Sequence, residues 1–157
     1  MKTSIGIKQE NLSKVAEILS IILADEFVLL TKTKKAHWNV EGADFYNKHL
    51  FFEQQYNQLD EIVDAVAERI RTLGHYAPGT LKEYLALTHL SEHALETNDS
   101  LTYMNELLCD HESILIHLRE NSNNFATQLH DAGTSDYITG LLEMHEKMAW
   151  MLGSHLK

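Results

Sequence analysis

The chain has 157 residues, enough for one domain with a substantial core. A single Pro and seven Gly argue against a turn-rich all-β fold, and the sole Cys109 excludes an internal disulfide framework and suits a reducing cytoplasm. The formal net charge of -10, from 23 acidic and 13 basic residues, repels nucleic acid unless basic residues are concentrated locally.

Residues 1–7 read as a short mobile tail on a single domain spanning 1–157, and no basic region followed by an apolar run marks a secretory signal. The spacing of Leu12, Val15, Ile18, Leu19, Ile22, Val28 and Leu29 predicts a first helix from about Asn11 to Trp38. Its middle is apolar on more than one face, but Asp25 and Glu26 interrupt it and it is too short to cross a bilayer, which takes about 20 residues. Lys32, Lys34 and Lys35 form a basic cluster late in this helix, where cations complement the C-terminal dipole. A loop from Asn39 to Ala43 leads to a long second helix, in which Phe45, Leu50, Phe52, Ile62, Val63, Val66 and Ile70 recur until Gly74 stops it.

After Pro78-Gly79, Thr80 and Glu83 predict a capping box at the head of a short helix, Leu81 to Leu87. A third helix is expected from about Asp99 to Asn121, with Leu101, Met104, Leu108, Leu115 and Leu118 inward and the polar run 121–124 as its end. A fourth runs from about Ser135 to His155, burying Ile138, Leu141, Leu142, His145, Met148 and Leu152. Cys109, without a CxxC partner, reads as a core or half-exposed thiol.

On the second helix, His49, Glu53, Asn57, Asp60, Asp64 and Glu68 follow one another at intervals of three or four and form one polar stripe. A solvated face would show such a stripe too, but histidine among carboxylates suggests metal chemistry. Asp64 and Glu68 are one turn apart, whereas His49 lies fifteen residues before Asp64, about 22 Å along the helix at ~1.5 Å per residue. One subunit cannot bring them together. Two copies of the helix packed antiparallel about a two-fold near Gln58 and Leu59 would set His49 against the mate's Glu68 and Glu53 against its Asp64. His37, just before the loop, would complete each of two equivalent sites. Imidazole with carboxylate suits Fe(II), Zn or Mn better than Ca or Mg.

The other histidines give weaker signals. His89 and His93 are one turn apart beside Ser91, Glu92 and Glu96, in a connector more readily read as structural. His111-Glu112 and His145-Glu146 lack the second His of the zinc-protease pattern, since Leu115 and Ala149 stand there. No Glu-x-x-His occurs, which disfavours a di-iron centre inside one bundle and favours a site between subunits.

The run His37-Trp38-Asn39-Val40, then Gly42, Phe45, His49, Phe52-Glu53, Tyr56, Asp64 and Ala67-Glu68-Arg69-Ile70 resembles the signature of the Dps family, the mini-ferritins of starved bacterial cells. A second block near the C-terminus matches as well: Asp131, Gly133-Thr134-Ser135-Asp136, Leu141, His145-Glu146-Lys147 and Trp150. One departure is Lys48, where the family usually carries an apolar residue. The resemblance implies an all-α fold, a ferritin-like four-helix bundle with a short extra helix in the long connection between the second and third helices. It implies a cytoplasmic homo-oligomer, a dodecameric hollow shell, that oxidises Fe(II) with hydrogen peroxide in preference to dioxygen and stores Fe(III), protecting against oxidative stress. His37 and His49 of one subunit with Asp64 and Glu68 of its mate would form the ferroxidase site, open also to zinc or other divalent cations. Glu53 would be an accessory ligand, Asp131 and Asp136 an iron-entry pore, and Trp38 and Trp150 electron-trapping or simply interface aromatics. Many relatives compact DNA through lysine-rich tails. Here residues 1–12 hold only Lys2 and Lys8, so DNA binding is not expected and DNA compaction is the alternative role.

Overall fold

The computed structural model describes residues 3–93, 95 and 97–157, so Lys2 and Glu96 lie outside the described residues. Five helices follow in order: α1 (Gln9–Asn39), α2 (Phe45–Thr72), α3 (Leu81–Leu87), α4 (Ser100–Thr127) and α5 (Ala132–Ser154). No strand occurs among the described residues, only an isolated bridge between Glu41 and Asp99. Two helical hairpins, α1 with α2 and α4 with α5, pack through α1 and α4, and the long connection carries α3 against α1. This is the expected all-α bundle with one long crossover.

Each hairpin is built by apolar stripes at helical spacing. On α1, Leu12, Val15, Leu19, Leu23 and Leu29 are fully buried, and Phe52, Leu59, Val66 and Ile70 of α2 face them in the same core. Gly74 lies at φ +89, a left-handed conformation that closes α2 as the spacing predicted, while His75 N–H donates to the Ile70 carbonyl. Thr80 and Glu83 form the capping box of α3, and Tyr84 of α3 stacks on Phe27 at 4.3 Å. Ile7 packs against the core, anchoring the described part of the N-terminal segment at its end. No helix among the described residues is long and apolar enough to cross a membrane.

Four expectations are corrected. The polar run 121–124 does not end the third helix. Phe125 is fully buried and carries α4 on to Thr127, a case of core packing overriding local propensity, and the chain turns only at His130, with φ 54. Leu101, expected inward, is exposed on the first turn of α4. Cys109 is exposed. Lys32 is not part of a surface cluster: it is buried, 2.6 Å from Asp110 and 3.1 Å from Glu106, and donates to the Ser91 carbonyl. Asp25 and Glu26, which interrupt the apolar pattern, point into the bundle.

Candidate metal centre

His37 sits in the last turn of α1 and His49 in the second turn of α2, across a tight loop in which Gly42 adopts φ +121. The loop is held from the other hairpin, since Glu41 N–H donates to the Asn98 carbonyl at 3.0 Å and Ser100 donates to the Asp44 carboxylate at 2.7 Å. The two imidazoles stack at 3.8 Å between centroids. Each Nδ1 lies 2.8 Å from the backbone carbonyl of the other histidine. A carbonyl can only accept, so both Nδ1 atoms carry the hydrogen, and in the neutral rings each Nε2 is the nitrogen with the lone pair. That outer hydrogen bond orients a ring for metal ligation.

Glu53 follows one turn after His49, half-buried, and accepts from Tyr56 at 3.4 Å. Burial, then the charge of Glu53, raises the Tyr56 pKa. Tyr56 also meets the His37 ring edge-on at 5.1 Å, and Lys34 lies over its ring and 3.8 Å from Asp60. These neighbours went unassigned in the sequence, although Tyr56 stands three residues after Glu53 and seven after His49, on the same helical face. Lys48 turns away to His155, its Nζ 3.0 Å from Nδ1, and burial and then Lys48 lower the His155 pKa.

Asp64 and Glu68 are exposed on the same unbroken helix, and with Asp60 and Glu61 they make an acidic face. Among the described residues no three His, Cys, Asp or Glu side chains of one chain gather around a metal-sized point. The structure thus brings His37 and His49 together, with Glu53 one helical turn after His49, and leaves Asp64 and Glu68 apart from them, about 22 Å and more along the helix from His49. Trp38 and Trp150 are surface residues, 69% and 68% exposed. Asp136 is exposed near the start of α5, whereas Asp131 is turned inward in the subunit. It is buried as the N-cap of α5, accepting from Thr134 N–H and hydroxyl at 2.9 and 2.6 Å and paired with Arg69 at 3.2 Å.

The family model of the ferritin-like domain matches residues 16–157. An uncharacterized low temperature-induced protein of Nostoc sp. is 40% identical over 156 residues, covering 99% of this chain and 87% of the relative. The DNA protection during starvation protein of Helicobacter pylori is 36% identical over 143 residues, 91% of this chain and 99% of its own. The crystal structure of the Vibrio cholerae Dps protein, described as a member of a broad superfamily of ferritin-like diiron-carboxylate proteins, superposes with a TM-score of 0.92. Its identity is 30%, with 100% of this chain and 98% of that one covered. With the same hairpins, crossover and signature residues in place, the chain belongs to the Dps family of ferritin-like proteins.

Proposed function

We propose that the protein is a peroxide-using ferroxidase and iron store whose catalytic sites are shared between two subunits. The observation that carries this reading is the His37–His49 pair, with both Nδ1 atoms tied to carbonyls and both Nε2 atoms left for a cation, while the acidic stripe of α2 continues beyond their reach. Fe(II) is the substrate. Neutral imidazoles hold Fe(II), and the carboxylates Asp64 and Glu68 of the two-fold mate favour the harder Fe(III). Glu53, beside His49, serves a second and weaker iron position. Two Fe(II) supply the two electrons that reduce one hydrogen peroxide, and with two waters the products are two FeOOH and four protons, so no hydroxyl radical leaves the site. Zn(II), with the same ligand preference, competes for it.

In this proposal the working particle is a cytoplasmic shell of twelve copies of the single domain, with mineral inside. Asp131 and Asp136 mark an acidic entry route that would concentrate Fe(II), with Asp136 the more exposed of the two. Trp38, next to His37 in sequence and open to solvent, is the better placed of the two indoles to absorb a stray oxidising equivalent.

The deciding experiment is anaerobic loading with Fe(II) followed by peroxide at one equivalent per two irons. Ferric absorbance is expected to rise within mixing, and far faster than with air. An equal rate with dioxygen would end the peroxide preference, and no rise above free Fe(II) would end the ferroxidase reading.

DNA is not expected to be retarded in a mobility-shift titration at neutral pH and physiological salt. The chain carries -10 and its acidic α2 face is exposed, so few counterions would be released on contact. Salt-sensitive retardation of linear or supercoiled DNA would instead favour the compaction role.

A further inference from the structure

Stacked imidazole pairs occur twice among the described residues. Besides His37 with His49, His89 of the long connection stacks on His117 of α4 at 4.2 Å between centroids and 21° between planes. The sequence spacing pointed to His93 as the partner of His89, but the fold brings His117 there instead. Asp25, buried on α1, is committed to this place. Its Oδ1 accepts from the Thr88 hydroxyl and from His89 N–H, both at 2.7 Å, and its Oδ2 lies 3.3 Å from His89 Nδ1. On the other ring, Glu120 Oε2 lies 3.5 Å from His117 Nδ1. Asp25 thus holds His89 through its Nδ1, the arrangement that orients a metal-ligating histidine, and Glu120 places a second carboxylate beside His117. Neither Nε2 has a hydrogen-bond partner among the described residues, and the side chains are 44% and 34% exposed, so an ion can reach them from solvent.

We propose that His89 and His117 form a two-imidazole clip for a borderline divalent cation such as Zn(II) or Cu(II), independent of the iron site, with water in the remaining positions. Two nitrogens that share one cation at about 2.0–2.1 Å stand roughly 3–3.4 Å apart. On this proposal, rotation of the two side chains brings the Nε2 atoms to that spacing from a stack of 4.2 Å between centroids. Asp25 then acts as a positioning residue, because its oxygens are occupied by Thr88 and His89.

The test uses the assembled protein carrying His37→Ala and His49→Ala, so its outcome does not depend on the ferroxidase reading. Equilibrium dialysis against micromolar Zn(II) should show one more ion per chain than the same protein with His89→Phe and His117→Phe added. Those changes keep an aromatic stack, and shell size and melting temperature check the fold. Asp25→Asn should weaken the affinity 10- to 100-fold. His93→Ala should leave it unchanged, and Cu(II) in the clip should show coupling to two nitrogens by electron paramagnetic resonance. Equal Zn(II) stoichiometry with and without the two Phe substitutions would overturn the proposal, as would a Cu(II) signal with no nitrogen coupling.

Discussion

Shells reassembled from equal amounts of a His37→Ala/His49→Ala chain and an Asp64→Ala/Glu68→Ala chain should regain about a quarter of the wild-type oxidation sites. Each parent alone should show essentially none. On random mixing half the two-fold pairs are hybrids, and in each hybrid one interface joins intact imidazoles to intact carboxylates while the other loses all four ligands. The expectation follows from geometry: α2 is continuous from Phe45 to Thr72, so His49 and the carboxylates of its own chain stay about 22 Å apart. The Asp64→Ala/Glu68→Ala parent should still assemble, because both residues are exposed in the subunit. Proper mixed shells without recovered activity would place all ligands in one chain and defeat the shared site. Wild-type rates in that parent would remove Asp64 and Glu68 from it.

The second large effect is on stability. Glu26, His111 and His145 are all fully buried at the centre of the bundle. His145 Nε2 is 2.9 Å from Glu26 Oε1, but its N–H does not point along that line, so the contact is electrostatic and not a directed hydrogen bond. The Nδ1 atoms of His111 and His145 are 2.9 Å apart, which requires a proton on one of them and a lone pair on the other. Tyr137 contributes a buried hydroxyl without a partner, and burial, then Glu26, pushes its pKa up to about 12. Removing one member of such a buried pair leaves the other uncompensated, so Glu26→Ala or His145→Ala should cost about 3–5 kcal/mol per chain. The apolar double replacement Glu26→Met/His145→Leu should recover most of that loss. Denaturant unfolding of each variant measures both, and a single-variant loss below about 1 kcal/mol would contradict the assignment.

This cluster also sets a pH dependence. Burial, and then the neighbouring His145, hold the His111 pKa well below 6.5, so His111 stays neutral in the fold and takes up a proton on unfolding. The unfolded state binds more protons, and stability therefore falls as pH drops below 6.5, by up to about 1.4 kcal/mol per pH unit until the folded-state value is reached. Melting of His111→Gln from pH 7 to 5 should be flatter than wild type. An identical slope would assign the acid sensitivity elsewhere.

How much of this was legible in the sequence depended on whether the signal was local. Helical spacing along α1 and α2, the Thr80–Glu83 box and the stop at Gly74 are properties of neighbouring residues, and the structure reproduces them. The Dps signature was legible because its fixed residues crowd between His37 and Ile70. What failed was long-range. Phe125 overrules a polar run because its ring has a place in the core, and Asp131 looks like a surface acid until Arg69, sixty-two residues earlier, is seen beside it. The exposed basic cluster lost Lys32 because Asp110 lies on another helix. The tautomer of the site histidines was equally invisible, since it rests on two backbone carbonyls whose direction only the fold defines.

Every ligand proposed for the iron site lies between His37 and Glu68, inside the first helical hairpin. A chain still on the ribosome thus displays both halves of the chemistry long before α4 and α5 are made, yet the half-sites stand too far apart to act on one ion. On the shared-site reading, a nascent or unassembled subunit is chemically silent toward iron, and catalysis begins only when two finished chains meet. The straightness of one helix then works as a quality check. On that reading it would tie the oxidation of iron to the assembly that stores it, and a loose subunit would leave Fe(II) as it found it.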